Sequence, residues 1–186
     1  MIDPLRWYLL AGMAAHKLVW EALRPADGSE ARSPRLDLLR WVKAALLGAL
    51  VVQTLVPGAV LPIAAEPRLL RWAGAALYTL GVAVAVTARF QIGPNWSDIE
   101  NPVVRPGRRL VSHGLYRFIR HPIYAGDLAL VGGLELSLNS WLAAGVAAVA
   151  AFTVRRALEE ERLLTEGLPG YGDYCRRTRR FIPLIL

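Results

Sequence analysis

Five long apolar runs, separated by charged stretches, constrain the fold of this chain more than any other feature. They lie at Leu5–Leu23, Ala44–Ala65, Leu69–Ala88, Ile123–Leu138 and Trp141–Val154. An apolar run of roughly 20 residues is long enough to cross a bilayer, and only helices or closed barrels cross it with every backbone group paired. Because the apolar residues are continuous rather than alternating, the runs predict helices. The sequence therefore predicts an all-α integral membrane protein with about five transmembrane helices.

The basic residues lie mainly on one side of these predicted helices. Of the 22 lysines and arginines, 17 lie in the segments 24–40, 89–120 and 155–180, and three lie on the opposite side. Lysine and arginine collect on the cytosolic side of membrane proteins, so this asymmetry predicts an external N-terminus and a cytosolic C-terminus. The formal charge of +7 is then explained by topology and by contact with anionic lipid headgroups rather than by nucleic-acid binding. With the alanine- and arginine-rich composition, we expect a bacterial inner membrane.

Cysteine and histidine are too few and too scattered for a disulfide framework or a zinc site. The single cysteine, Cys175, lies in the predicted cytosolic tail, and the three histidines are far apart in the chain. We therefore expect no bound metal. In the first run, Lys17 and Glu21 stand four residues apart on one helical face, where they are expected to neutralise each other. His16 beside them is interpreted as a polar residue that faces the helix bundle, with a catalytic role as the less favoured alternative.

The fourth and fifth runs predict a tight helical hairpin, because only two residues separate them. Pro122 falls in the first turn of the fourth helix, where its missing N–H costs nothing, and His121 then lies at the cytosolic mouth of that helix. The fifth helix is expected to continue into the cytosol through residues 155–164. Since both helices of a hairpin have their cytosolic ends side by side, RHPIY (120–124) and EEE (159–161) are predicted to be neighbours.

The residue types at this mouth allow two interpretations. A cluster of histidine, carboxylates, aromatics and arginines at a membrane face could bind a polar cofactor from the cytosol and an amphiphile from the bilayer. Alternatively, Arg120 and His121 extend to the interface as long polar side chains often do, and the EEE run is a solvated helix face. Another acid, Glu135, lies deep in the fourth run and is expected near its outer end, paired or hydrated there, with a polar contact to the acceptor as the alternative.

Four ordered motifs carry a resemblance to a known family. They are GPNWS (93–97), LVSHGLYRFIRHPIYAG (110–126), EEERLL (159–164) and YGDYCRRTRRFIP (171–183). This half of the chain resembles the isoprenylcysteine carboxyl methyltransferase family and its bacterial relatives. The resemblance implies one membrane methyltransferase domain, 1–186, that uses S-adenosylmethionine. In it, three spans within 1–88 precede a cofactor-binding half, 89–186, whose C-terminal helical segment helps to form a cytosolic cofactor pocket.

The resemblance also implies roles for individual residues. An arginine of the tail, Arg177 or Arg180, is expected to orient the acceptor, with Glu161 as a further catalytic residue. A carboxylate acceptor would need no base, because it is already a nucleophile, whereas an amine would need a glutamate or His121 to take its proton. The residues expected to bind the cofactor are Gly114, Tyr116, Arg120, His121, Pro122, Tyr124, Gly126, Glu160, Glu161, Tyr171 and Tyr174.

Two alternative functions stay open from the sequence. Asp127 creates the string YAGDL, and a similar string occurs in membrane sterol reductases that use NADPH, so a reductase of a lipid double bond is one alternative. The other is a non-catalytic membrane scaffold or transporter. The EEE run and the short chain favour methyl transfer to a lipophilic small molecule or a lipid-modified acceptor reached from the bilayer.

Overall fold

The chain folds as a helical bundle in a computed structural model that describes residues 3–24, 34–59, 61–96 and 109–183. Over these ranges the regular structure is helical, and extended pairing is limited to two isolated bridges. Short 3-10 turns occupy Gly93–Asn95, Gly114–Arg117 and Trp141–Gly145. The α-helices are α1 (Pro4–Ala22), α2 (Pro34–Leu55), α3 (Arg68–Ile92), α4 (Pro122–Ser137), α5 (Val146–Gly167) and α6 (Tyr171–Arg177).

Proline and glycine account for several of the helix ends. Pro122 occupies the first turn of α4 and follows His121, as the sequence predicted. The second helix differs from the predicted run Ala44–Ala65, because α2 begins at Pro34 and ends at Leu55. Its end falls two residues before Pro57, which cannot donate a helical hydrogen bond, and Gly58 follows with a φ of 80°. The apolar residues after Leu55 therefore form a connection and not the last turns of a span.

Among the residues that the structure describes, two helical segments have the length and apolarity expected of a membrane span. These segments are Arg68–Asn95 and Trp141–Gly167. Large apolar side chains also project from the bundle on other helices, including Trp41 of α2, which is 74% exposed. This apolar exterior supports an integral-membrane protein, while the number of five spans stays a prediction.

Helices α3 and α4 pack most closely, and glycines make the approach possible. Gly74 and Gly81 of α3 face the backbone of α4, and Gly126 and Gly133 of α4 face the backbone of α3. A Cβ atom at any of the four positions would collide with the opposite backbone. The spacing of seven residues on each helix repeats the contact two turns apart on the same face. The backbones of α3 and α4 therefore approach closely at two levels.

Polar contacts join the helix ends at one end of the bundle. Arg71, in the first turn of α3, contacts Asp3 at the start of α1 at 2.5 Å. Gln53, near the end of α2, donates to Oε1 of Glu135 on α4 at 2.6 Å. The connection before α3 pairs with the α4–α5 connection through Ile63 N and Asn139 O, 3.0 Å apart. Glu135 is thus paired inside the bundle, with 2% of its surface exposed.

A candidate active site at the opposite end of the bundle

The tail of the chain closes the other end of the bundle by pairing with the segment before α4. Arg120 N donates to Arg179 O at 2.7 Å, and His121 N donates to Arg180 O at 3.0 Å. Arg179 N returns a bond to Phe118 O at 3.0 Å. These bonds fix the tail beside the RHP motif, so α6 and the residues after it form one wall of the site.

Two adjoining cavities, partly open to solvent, lie between α3, α4, α5 and this tail. The empty space in them, open solvent included, is about 320 and about 420 Å³. Both are lined by Ile92, Tyr116, Arg120, His121 and Glu160. The first also contacts Trp96, Ile123 and Tyr124, and the second contacts Asn95, Arg109, Leu110, Val111, Leu164, Leu168, Tyr171 and Tyr174. We call the two together the cleft.

Glu161 anchors the basic residues around the cleft. Its Oε1 accepts from Arg120 Nε at 2.7 Å and lies 3.2 Å from His121 Nε2, and its Oε2 accepts from Arg180 Nε at 3.1 Å. Arg120 also donates to the carbonyl oxygens of Cys175 and Thr178 at 3.1 and 2.5 Å. One carboxylate therefore joins α5 to the RHP motif and to the tail.

Glu160, the neighbour of Glu161, lies at the cleft itself. Its Oε2 accepts from the Tyr124 hydroxyl at 2.9 Å and lies 3.9 Å from His121 Nδ1. The rings of His121 and Tyr124 are stacked, with centroids 5.3 Å apart and planes at 3°. A carboxylate beside two flat rings can hold hydroxyl or ammonium groups and can support a cation or an aromatic base.

Buried tyrosines form the tail side of the cleft. Tyr171 and Tyr174 are each 3% exposed, and the Tyr174 hydroxyl donates to Tyr116 O at 2.7 Å. Burial raises the pKa of both phenol groups well above the ordinary value. Both therefore stay neutral over the physiological pH range and act as fixed apolar walls with polar tips.

Residues at the end of α3 contribute a wall that the sequence analysis had not assigned to the site. Trp96 packs under the guanidinium of the fully buried Arg89, whose Cζ lies 4.4 Å from the ring centroid. Asn95 accepts a hydrogen bond from Arg109 N at 2.8 Å and so ties the residues after 108 to this wall. The sequence signal for this wall is the motif GPNWS, which contains Asn95 and Trp96.

Six predicted site residues do not line the cleft, and two of them, Glu161 and Arg180, are paired with each other. Gly114 begins the turn before the RHP motif with a φ of 58° and abuts the side chain of Gln91. Pro122 is buried as the first residue of α4, and Gly126 packs on Ala85 in the α3–α4 contact. Arg177 is exposed and donates to Asp173 O at 3.4 Å on its own helix. The structure brings together Tyr116, Arg120, His121, Tyr124, Glu160, Glu161, Tyr171, Tyr174 and Arg180.

Asp127, whose position in the YAGDL string kept the reductase open, contacts a residue of the first helix. Its Oδ1 lies 3.0 Å from Nε2 of His16, and the His16 ring stacks on Trp20 with centroids 3.9 Å apart. The described residues include no group of three or more histidine, cysteine, aspartate or glutamate side chains arranged to hold a metal ion.

The fold and the site together define a helical membrane protein with a polar, aromatic-walled cleft at one face. The family model described as phospholipid methyltransferase matches residues 69–169, which span α3 to α5. The chain therefore belongs to the phospholipid methyltransferase family. This confirms the predicted relationship to membrane methyltransferases and favours it over the reductase and the transporter.

Two curated relatives and one solved structure add to this assignment. The chain is 32% identical over 114 residues to the nickel-cobalt-cadmium resistance protein NccN of Alcaligenes xylosoxydans xylosoxydans, covering 60% of this chain and 52% of that protein. It is 31% identical to the cobalt-zinc-cadmium resistance protein CzcN of Cupriavidus metallidurans, covering 60% of this chain and 51% of that protein. The chain thus spans about half the length of the curated relatives it matches.

The structural likeness covers the whole of this chain. The eukaryotic intramembrane Ras methyltransferase ICMT, an isoprenylcysteine carboxyl methyltransferase, superposes with a TM-score of 0.58 at 20% identity, covering 100% of this chain and 70% of that one. The described helices therefore have the fold of an intramembrane methyltransferase.

Proposed function

We propose that this chain transfers a methyl group from S-adenosylmethionine to a lipophilic acceptor that reaches the cleft from the bilayer. The observation that carries the proposal is the cleft of a family member, in which one carboxylate, one guanidinium, one imidazole and several aromatic rings converge. Sequence-distant segments, the RHP motif, α5 and α6, supply these groups. A cluster of this kind at a membrane face is suited to a polar cofactor and an apolar acceptor at once.

The chemistry of the cleft fits S-adenosylmethionine. When bound, this cofactor supplies an electrophilic methyl group on a sulfonium cation. Glu160 is placed to accept from hydroxyl or ammonium groups, and Tyr116, Tyr124 and Trp96 offer faces for the adenine or the sulfonium. Arg120, held by Glu161, is a partner for a carboxylate. Each charged feature of the cofactor therefore has a complementary group in the walls.

The protein's part in methyl transfer is positioning and exclusion of water. An in-line displacement needs its reactants aligned, and alignment alone is worth effective molarities of about 10⁵ M or more. The tail is fixed by its backbone bonds to the RHP motif, and Tyr171 and Tyr174 of α6 form one wall of the cleft. Arg180, bonded to Glu161 at 3.1 Å and 43% exposed, is better placed than Arg177 to orient the acceptor.

Cofactor titration of the purified chain tests this proposal. A ligand that binds only the folded state adds about 2.7 kcal/mol of stability at one hundred times its Kd. We expect S-adenosylhomocysteine, measured by its effect on unfolding, to stabilise the chain and NADPH to leave it unchanged. If NADPH stabilised the chain and S-adenosylhomocysteine did not, the result would contradict methyl transfer and support a reductase. A second assay, transfer of labelled methyl groups into lipid extracts, reports the reaction itself.

A further inference from the structure

A histidine–aspartate pair lies beside the cleft and contains no predicted site residue. His16 Nε2 and Asp127 Oδ1 are 3.0 Å apart and link α1 to α4. Asp127 stands five residues beyond the first residue of α4, roughly 7 Å along the helix axis. Ionisable groups at such depth are costly in a membrane and are a mark of function.

The pair is connected to the cleft on two sides. Asp127 follows Tyr124 by three residues, so both side chains lie on one face of α4, with Asp127 the deeper. On the α1 side, His16 stacks on Trp20, and Trp20 packs in the same cluster as Trp96 and Tyr116, which line the cleft. The pair therefore lies about one helical turn further along α4 than Tyr124, which lines the cleft.

The contact with Asp127 favours one tautomer of a neutral imidazole. An ionised carboxylate only accepts hydrogen bonds, so in that tautomer Nε2 carries the proton that faces Asp127 and Nδ1 carries the lone pair. Stacking on Trp20, at an interplanar angle of 23°, fixes the ring orientation. With 20% of its side chain exposed, His16 is also open to contact. An imidazole oriented by a carboxylate in this way is the arrangement of a general base.

We propose that His16 is the general base for the acceptor and that Asp127 positions it, an inference that rests on the proposed methyl transfer. The acceptor is then an amphiphile whose nucleophilic atom carries a proton, an amine, hydroxyl or thiol, and not a carboxylate, which needs no base. The acceptor atom forms a bond to the methyl carbon while the carbon–sulfur bond breaks. The electron pair stays on sulfur, giving S-adenosylhomocysteine, and the acceptor's proton goes to Nδ1 of His16.

His16→Gln separates this role from a structural one. A glutamine amide still donates to Asp127, so a pair that only links α1 to α4 would be preserved, but an amide cannot take a proton. We expect the variant to bind S-adenosylhomocysteine with unchanged affinity and to lose about 10²-fold to 10⁴-fold in the rate of methyl transfer. The matched control is His113→Gln, the same change at an exposed histidine before the Gly114 turn, which should keep both properties.

The assay uses membranes that contain the full chain, methyl-labelled S-adenosylmethionine and extraction of all lipids. Mild alkali releases label from methyl esters and leaves N-, O- or S-methyl groups in place, so the acceptor need not be known. We expect alkali-stable label with the wild-type chain and its loss with His16→Gln. Label that is released by alkali, a His16→Gln variant as fast as wild type, or one that loses cofactor affinity would each overturn the role of His16. A wild-type chain that binds S-adenosylhomocysteine but transfers no label would refute the proposed function itself.

Discussion

At the scale of single residues, adjacent side chains of one motif have different surroundings. Glu160 lines the cleft, whereas Glu161 binds Arg120, His121 and Arg180 behind it. Successive residues of a helix point about 100° apart, so the two neighbouring glutamates approach His121 at different ring nitrogens, Glu160 near Nδ1 and Glu161 at Nε2. Glu161 thus builds the frame that holds the RHP motif against α5, and Glu160 is left to meet the ligand.

Glu161→Gln is predicted to weaken that frame. Arg120 is 8% exposed at its side chain and would lose its charged partner. Loss of a hydrogen bond to a charged group costs about 1.5–3 kcal/mol, and we expect a drop of this size in the free energy of unfolding. Unfolding in mixed detergent micelles measures it. Glu166→Gln is the control, because Glu166 pairs with Arg162 on the exposed face of α5, and an equal effect of both variants would contradict the anchoring role.

The sequence was sufficient to bring the motifs of the site together but not to rank the residues within them. Topology alone placed RHPIY beside EEE, and the resemblance pointed to the tail. Which glutamate faces the cleft and which arginine reaches Glu161 depends on the rotation of α5 and on the path of the tail, which long-range contacts decide. The role of Trp96 was missed for the same reason, since only the fold brings the end of α3 to the RHP motif.

At the scale of elements, the packing of α3 on α4 sets the position of the cleft. The RHP motif begins α4, and Ile92 and Trp96 end or follow α3, so the separation of these two helices fixes the width between them. Helix ends were only partly predictable from the sequence: α2 extends further towards its N-terminus than the apolar run because polar residues such as Arg40 still favour helix.

Gly133→Ala is predicted to push α3 and α4 apart. Its Cβ would collide with the backbone of Tyr78, and overpacking of this kind costs about 1–3 kcal/mol. The adjacent Gly132→Ala is the control, because its Cβ would lie 3.8 Å from the nearest atom, a methyl group of Val146, and alanine is about 1 kcal/mol better than glycine in a helix. We expect the melting temperature in detergent to fall for Gly133→Ala and to stay level or rise for Gly132→Ala. The opposite order would exclude the close backbone contact.

At the scale of the whole molecule, the two ends of the bundle carry different groups of side chains. One end joins Asp3 to Arg71 and Ile63 to Asn139, and it holds the buried Glu135. The other end holds the cleft, the tail and most of the basic residues of α5 and α6. This division agrees with a chain that crosses the bilayer five times, because alternate connections then meet at the same face.

The orientation of the chain in the membrane is the last prediction. The basic asymmetry places the cleft in the cytosol and the connection before α3 outside. In a Cys175→Ser background, a membrane-impermeant maleimide should label Glu66→Cys on intact cells, and it should label Asp173→Cys only after permeabilisation. Both positions are exposed, so accessibility within the protein does not differ between them. Cys175 is replaced because it is the only native thiol, although burial raises its pKa and slows its reaction. Labelling in the reverse order would place the cleft outside the cell, away from the cytosolic supply of S-adenosylmethionine, and would contradict both the orientation and the proposed reaction.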